Sequence, residues 1–276
     1  MRRLFARANL ALLHQFTRST PILAFDYDGT LAPIVADRER AEMLPRTVHL
    51  FSQVCEMYTC AVISGRSRAD VAARLGAARV KHISGNHGME PGGHLPSFER
   101  QMSEIRVLLE QRLSGLRGVE IEDKRYSLAV HYRAARRKDQ ARIAIHHVVD
   151  ELPVRAVAGK QVVNLLPAQA ANKGDALLHL RDVEQVRGAF FIGDDVTDED
   201  VFGLDETEHV FSVRVGHSKK SAAQYFVRDQ HEVDRLLEAL IEFRASSALD
   251  QNERSSSTRT SVARSRAIPF LDKKNV

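Results

Sequence analysis

Short, largely apolar runs recur along the chain between polar or glycine residues, and each is too short for a typical helix. They predict buried β-strands at Ile22 to Phe25, Cys60 to Ile63, Val80 to Ser84, Phe190 to Ile192 and Val210 to Val215. Between them, apolar residues spaced three to four apart predict helices at Arg68 to Leu75 and Lys173 to Leu180. Strands that alternate with helices predict an α/β domain with a parallel sheet.

The middle of the chain follows another pattern. After the Gly- and Pro-rich segment "GNHGMEPGGHLPSF" come a predicted helix at Glu99 to Leu113, a hairpin-like stretch, a second helix at Lys138 to Glu151 and one strand before Pro167. We therefore expect a smaller α+β domain over residues 95–167, inserted into a core domain made of residues 20–94 and 168–245.

Both ends of the chain are basic. The formal charge is +4, of which the residues before Asp26 carry +4 and residues 246–276 carry +3, so the body carries −3. An acidic body is unlike a groove for nucleic-acid phosphates, and we expect solvated, flexible ends that bind no nucleic acid; binding through these ends is the alternative. Residues 1–19 are predicted to form a helical extension, and the Ser-rich residues 246–276 a disordered tail.

Composition restricts the class of protein further. No apolar run approaches the roughly 20 residues of a membrane-spanning helix, and the N-terminus is interpreted as an amphipathic helix, not a signal peptide. The two cysteines, Cys55 and Cys60, lack the spacing of a zinc or redox site and suit the reducing cytoplasm. The sequence does not determine the oligomeric state, and a monomer is favoured.

Polar residues follow several predicted strands, at the edge where open α/β sheets bind ligands. Asp26 and Asp28 follow the first strand, Ser64 follows the second, and the acidic run "GDDVTDED" follows "AFFI". Lys173 opens a helix, at a position suited to anions. Carboxylates that converge need a neutralising cation, and oxygen ligands without Cys or His favour Mg²⁺, which usually also binds phosphate oxygens.

This set of residues permits covalent phosphate chemistry. Asp26 can attack phosphorus to form an aspartyl phosphate. Asp28 can protonate the leaving alcohol and later deprotonate water, while Ser64 hydrogen-bonds a phosphoryl oxygen and Lys173 offsets negative charge.

Each signal also has an ordinary structural interpretation. D-x-D is common in turns, an acidic run stabilises a helix N-terminus, Ser-Gly is a frequent turn, and a lysine is usually solvated. Their joint occurrence at strand exits and at a helix start favours chemistry.

The segments "DYDGTL", "VISGR", "NKGDAL" and "GDDVTDED", in that order, resemble the four motifs of the haloacid dehalogenase superfamily of phosphotransferases. The resemblance implies a Rossmann-like core with a parallel sheet, and the inserted domain is similar to the superfamily's α+β cap. "FDYDGTLAPI", "GNHG", "EDK", "HYR" and "GK" further resemble the trehalose-6-phosphate phosphatases, over most of residues 20–240.

The resemblance implies a role for each matching residue. It makes Asp26 the nucleophile and a Mg²⁺ ligand, Asp28 the acid/base and a ligand through its backbone carbonyl, Asp194 a third ligand, and Asp198 a ligand through water. Tyr27, Gly65 and Arg66 are expected to border the substrate.

Substrate choice is expected to lie in the cap. By the resemblance, the sugar hydroxyls contact Glu122, Lys124, His131, Arg133 and Asn164. Asn164 stands where many members carry the glutamate of E-x-x-P, and an amide is neutral and can donate as well as accept. The residues alone also allow a solvated hairpin, because apolar and polar positions alternate from Tyr126 to Arg133.

The implied activity is Mg²⁺-dependent hydrolysis of trehalose 6-phosphate, a small sugar phosphate, to trehalose and phosphate. Two alternatives stay open. One is a phosphatase of another sugar phosphate, such as sucrose phosphate or glucosylglycerol phosphate. The other is a regulator or a phosphate-accepting receiver domain without turnover, against which the acid/base Asp28 and the cap both argue.

Overall fold

The computed structural model describes residues 1–35, 40–92, 94–159 and 161–246. Its strands are β1 (Arg2–Arg3), β2 (Ile22–Phe25), β3 (Cys60–Ile63), β4 (His82–Ser84), β5 (Glu120–Asp123), β6 (Leu128–His131), β7 (Val154–Gly159), β8 (Val162–Pro167), β9 (Ala189–Gly193), β10 (Val210–Val215) and β11 (Tyr225–Val227). Its helices are α1 (Arg7–Thr17), α2 (Pro45–Met57), α3 (Arg68–Leu75), α4 (Leu95–Arg112), α5 (Lys138–Val149), α6 (Lys173–Val183), α7 (Glu199–Phe202) and α8, over residues 230–246.

Seven of the described strands form the predicted parallel sheet, in the order β1-β11-β10-β9-β2-β3-β4. β2 lies between β9 and β3, and all four of its residues are fully buried. One face of β2 packs into the cluster that contains Phe51 of α2, and the other into the cluster that contains Leu177 of α6. Burial on both faces explains why the sequence of β2 is an unbroken apolar run.

The inserted α+β unit has its own antiparallel sheet, in the order β5-β6-β8-β7 among the described residues. Leu128 and Val130 of β6 are fully buried against side chains of α4 and α5, such as Leu109 and Ile145. The alternation read from the sequence is therefore confirmed. The single strand predicted before Pro167 is two strands, β7 and β8, joined by a hairpin in which Gln161 has a left-handed backbone with φ +63°.

The expectation of a flexible N-terminal end is wrong. β1 pairs with β11 at the edge of the large sheet, and Leu4 and Leu13 are fully buried in the core. Arg3 Nη2 donates to the buried Glu232 carboxylate at 2.7 Å. Apolar burial and this ion pair attach the basic end to the core.

Some predictions fall on residues that the structure does not describe. The basic tail lies outside the described residues except for Ser246, and Lys160 of the "GK" motif lies outside them as well. None of the helices in the described ranges has both the length and the apolar character needed to cross a bilayer.

Candidate active site

The carboxyl ends of β9, β2 and β3 lie side by side, because these strands are neighbours and run parallel. Phe25, the last residue of β2, lies opposite Ile192 on β9 and Val62 on β3. Asp26 continues the ladder by donating its backbone N–H to the Ile192 carbonyl at 2.9 Å. The residues that follow the three strands therefore meet at one edge of the sheet.

Three carboxylates gather at this edge around a lysine. Asp26, Asp194 and Asp198 each present an oxygen within 4.8 Å of the other two. The ammonium of Lys173 donates to Asp26 Oδ1 at 2.9 Å and to Asp198 Oδ1 at 2.7 Å. Lys173 is the first residue of α6, whose N-terminus is capped by the side chain of Asn172. The side chain of Lys173 is buried, so water screens these charges only weakly.

The cluster carries an excess of negative charge. Burial, followed by the nearby carboxylates of Asp198 and Asp195, raises the pKa of Asp194 to about 7. Burial also raises the pKa of Asp26, against the lowering effect of the Lys173 charge. Burial alone would lower the pKa of Lys173, but the two carboxylates raise it above its ordinary value, so the ammonium stays charged.

The donor set fits a magnesium ion. Among the described residues, Asp194 Oδ1 is buried and accepts no hydrogen bond. A buried carboxylate oxygen without a donor is costly, and two further carboxylates within 4.8 Å increase that cost. A hard dication with oxygen ligands, together with the Lys173 ammonium, would balance the three negative charges.

Gly29 lets the loop after β2 pass close over this cluster. Its φ is +80°, and a Cβ atom at this position would lie 2.3 Å from the Asp194 carboxyl group. Its N–H donates to the Ala32 carbonyl at 2.8 Å, which closes the loop. Both the left-handed backbone and the close approach require glycine.

Asp28 is held by Arg66. Nε and Nη2 of Arg66 donate to the two carboxylate oxygens of Asp28, both at 2.7 Å. A third nitrogen, Nη1, donates to Asp70 at 2.8 Å. The guanidinium that was predicted to border the substrate is thus engaged by carboxylates on both sides.

A cavity of about 430 Å³ opens over the cluster, between the two sheets. Its lining from the core includes Asp26, Asp28, Gly65, His87, Lys173 and Asp194. Its lining from the inserted α+β unit, called the cap from here on, includes Lys124, His131, Val162 and Asn164. The register explains the contribution of the cap, because Glu122, Ala129 and Asn164 lie opposite one another across β5, β6 and β8. These residues share a face with His131, and that face covers the carboxylates while the opposite face packs on the cap helices.

Other residues predicted to bind substrate lie outside this lining, as far as the described residues show it. Tyr27 is fully buried, with its ring 5.7 Å below the Arg66 guanidinium, and Ser64 is fully buried beside Gly65. Arg133 is exposed. Glu122 approaches the cavity through His131, whose Nε2 lies 2.9 Å from Glu122 Oε2.

His87 lines the cavity although the sequence assigned it no role. Its backbone is left-handed, with φ +58°, and its N–H donates to the Ser64 carbonyl at 2.9 Å. A Cβ atom on Gly65 would lie 2.5 Å from the His87 ring, so the two residues are closely packed. Two signals were available: "GNHG" is one of the segments that resemble the family, and its flanking glycines mark a tight turn.

A second cavity, of about 490 Å³, lies between α6 and the segment that leads into α4. Its walls are largely apolar, with Ile83, Met89, Phe98 and Leu180 among them, and the described residues place none of the three clustered carboxylates there. The cavity over the carboxylates is therefore the candidate active site.

Sequence comparison identifies relatives of this arrangement. The trehalose-phosphatase family model matches residues 24–231. A trehalose-phosphate phosphatase of Mycobacterium tuberculosis is 32% identical over 211 residues, which cover 71% of this chain and 54% of the relative. A probable trehalose-phosphate phosphatase G of Arabidopsis thaliana is 30% identical over 256 residues, or 79% of this chain and 68% of the relative. The chain thus spans about half the length of the mycobacterial relatives.

Structural comparison agrees with the sequence. The C-terminal domain of a C. albicans trehalose-6-phosphate phosphatase superposes with a TM-score of 0.69 and 25% identity, covering 85% of this chain and 97% of that domain. The predicted haloacid dehalogenase core with an inserted α+β unit is therefore confirmed as the fold. By sequence and by fold, the chain belongs to the trehalose-phosphatase family.

Proposed function

We propose that the chain is a Mg²⁺-dependent phosphatase that hydrolyses trehalose 6-phosphate to trehalose and phosphate through an aspartyl-phosphate intermediate. The observation that carries the proposal is the convergence of Asp26, Asp194 and Asp198 beneath a cavity covered by the polar face of the cap sheet. Family membership supports the reaction, and the names of the relatives support the substrate.

Asp26 and Asp194 would hold Mg²⁺ through side-chain oxygens and Asp28 through its backbone carbonyl. Asp198 already accepts from Lys173 Nζ and from the Asp195 N–H, which suits a contact through water. Bound there, the cation would neutralise the carboxylates and the charge that develops on the phosphoryl group.

In the proposed first half-reaction, a carboxylate oxygen of Asp26 attacks phosphorus and the bond from phosphorus to the sugar oxygen breaks. The electron pair of that bond goes to the sugar oxygen, which takes a proton from Asp28. In the second half-reaction, Asp28 takes a proton from water, whose oxygen attacks phosphorus. The bond from phosphorus to the Asp26 oxygen breaks, its electron pair returns to the Asp26 carboxylate, and phosphate leaves. Lys173 would stabilise charge on the phosphoryl oxygens and on Asp26, and the Ser64 hydroxyl would hydrogen-bond a phosphoryl oxygen.

The cap would select the substrate. Lys124, His131 and Asn164 line the cavity opposite the carboxylates, where hydroxyls of a sugar bound by its phosphate would lie. Glu122 and Arg133 would join them, Glu122 through its contact with His131.

The proposal also includes the division of the chain into a core of residues 20–94 and 168–245 and a cap of residues 95–167. It further includes a cytoplasmic location and a monomer without nucleic-acid or membrane partners.

One observation favours a second candidate. Asn164, which replaces a glutamate common in the family, lies in the cavity lining and offers a neutral amide there. Another glycosyl phosphate, such as sucrose phosphate or glucosylglycerol phosphate, is therefore the alternative substrate.

Phosphate release from these three esters, with Mg²⁺ and with EDTA, tests the proposal. We expect fastest turnover of trehalose 6-phosphate and none with EDTA; a preference for another ester would move the assignment to that ester. Asp28→Asn should lower kcat by about 10²–10⁴-fold, while calorimetry should still detect substrate binding. Wild-type protein that binds the esters but releases no phosphate with Mg²⁺ would instead be a regulator.

A further inference from the structure

The Asp28 carboxylate accepts two hydrogen bonds from one guanidinium. Arg66 Nε donates to Asp28 Oδ2 and Nη2 to Oδ1, each at 2.7 Å. Such a two-pronged contact fixes the plane of the carboxyl group as well as its position. The Arg66 side chain is 2% exposed and that of Asp28 is 31% exposed, so a buried group orients one that faces the cavity.

Arg66 is itself fixed by two residues on α3. Its Nη1 donates to Asp70 Oδ2 at 2.8 Å, and the other oxygen of Asp70 accepts from Arg74 Nε at 2.7 Å. Arg74 Nη1 donates to the Ala41 carbonyl at 2.9 Å. Arg74, Asp70, Arg66 and Asp28 therefore form a row of alternating charges, which begins at the Ala41 carbonyl and ends at the carboxyl group in the cavity.

The cap of α3 does not use the Asp70 side chain. The N-terminus of α3 is capped by the Ser67 hydroxyl, which accepts from the backbone N–H of Asp70 and leaves the Asp70 side chain uncommitted by the cap. That side chain instead lies between two guanidiniums. The row is thus built around Arg66, and through it around Asp28.

We infer that Asp70 and Arg74 are positioning residues, which act through Arg66 to hold the Asp28 carboxyl in the plane from which it passes its proton to the leaving oxygen. This inference rests on the proposed phosphatase reaction. Each carboxylate oxygen has two lone-pair sites, so the contact with Arg66 leaves capacity for that proton. Loss of the row lets the guanidinium and the carboxyl group turn, which slows proton transfer without removing any group that touches the substrate.

The leaving group distinguishes this role from a structural one. A sugar alkoxide is a poor leaving group and needs the proton of Asp28, whereas p-nitrophenolate leaves without it. The experiment measures the single-turnover rate of the first half-reaction for full-length protein with Mg²⁺, on trehalose 6-phosphate and on p-nitrophenyl phosphate. For Asp70→Asn we expect a loss of about 10- to 100-fold with the sugar ester and a change within about twofold with the aryl ester, at nearly constant KM.

Three further variants complete the test. Arg74→Lys keeps the charge but not the fork of donors, so it should show the same pattern with a smaller loss. Arg68→Gln, an exposed position on the same helix, should match wild type with both esters. If Asp70→Asn does not fold, Arg74→Gln replaces it.

Equal losses with both esters, or no loss with the sugar ester, would overturn the inference. Failure of the proposed substrate looks different, because wild-type protein itself would then release no phosphate from trehalose 6-phosphate. In that case the comparison is made with whichever sugar ester the wild type hydrolyses.

Discussion

Replacement of Lys173 by methionine should destabilise the fold strongly, because it removes the ammonium that lies between Asp26 and Asp198. At an effective dielectric constant near 20, each contact at 2.7–2.9 Å corresponds to an attraction of about 6 kcal/mol. Desolvation offsets most of this attraction, and removal of one partner from a buried pair costs about 3–5 kcal/mol net. We therefore expect Lys173→Met to lower the free energy of unfolding by that amount in EDTA.

The loss should depend on pH in a stated direction. The pKa of Asp26 is raised by burial, and that of Asp194 is raised to about 7, so both carboxyl groups take up protons before most carboxyl groups do. Without the lysine these pKa values rise further, because its charge is what opposes burial. The difference in stability from wild type should thus be largest near pH 8 and shrink as the pH falls through about 7.

Urea unfolding followed by far-UV circular dichroism measures this difference, since the chain has no tryptophan for fluorescence. Lys81→Met is the matched control, because Lys81 Nζ lies 2.6 Å from Glu184 but its side chain is 57% exposed. A surface pair of this kind contributes less than about 1 kcal/mol. The reasoning fails if Lys173→Met costs no more than Lys81→Met.

Three other substitutions test separate parts of the structure. The proposed Mg²⁺ site predicts that Mg²⁺ raises the melting temperature of the wild type. Gly29→Ala places a Cβ 2.3 Å from the Asp194 carboxyl group, so it should abolish that rise; a normal rise in the variant would contradict the close approach. Glu232→Gln should cost about 2 kcal/mol of unfolding free energy near pH 7, and this cost should shrink as the pH falls below the ordinary pKa range of carboxyl groups. Burial alone would raise the pKa of Glu232, but hydrogen bonds and charges from Arg228 and Arg3 outweigh burial and lower it. A carboxyl group with a lowered pKa stabilises the fold only while it is ionised. A loss in urea titrations that does not depend on pH would contradict this prediction. Arg155→Ala removes an ion pair between cap and core, in which Arg155 Nη1 lies 3.2 Å from Asp200 Oδ2. Limited proteolysis should therefore cut the segments that join cap and core faster, while the free energy of unfolding changes by less than about 1 kcal/mol. Unchanged cleavage would show that this pair does not hold the cap.

The elements that the sequence predicted well are those whose pattern reflects burial on both faces. β2 and β3 begin and end at the predicted residues, because each lies between two other strands and is apolar at every position. The edge strand β1 and its neighbour β11 were missed. They have two and three residues, and only their pairing with distant strands makes them strands.

The candidate site was predictable because the central strands were. Residues that directly follow two neighbouring parallel strands must lie close together, so the positions of Asp26 after β2 and Asp194 after β9 predict that they meet. Contacts that depend on loops were not predictable. The four-residue spacing of Arg66, Asp70 and Arg74 was visible, but nothing in the sequence showed that Asp28 continues this row across 38 positions of the chain.

Under the proposed function, the fold separates the residues of the chemistry from those that choose the substrate. Asp26 and Lys173 form an ion pair in the buried core, where a substitution disturbs both the charge balance and the packing. On the cap strands, by contrast, alternate side chains have separate tasks, since Val130 and Val163 pack inward while His131 and Asn164 face the cavity. Under the proposed function, a change at one cavity-facing position such as Asn164 would therefore alter what the sugar meets without disturbing the core of the cap. The proposed reaction and the proposed choice of sugar thus depend on different residues.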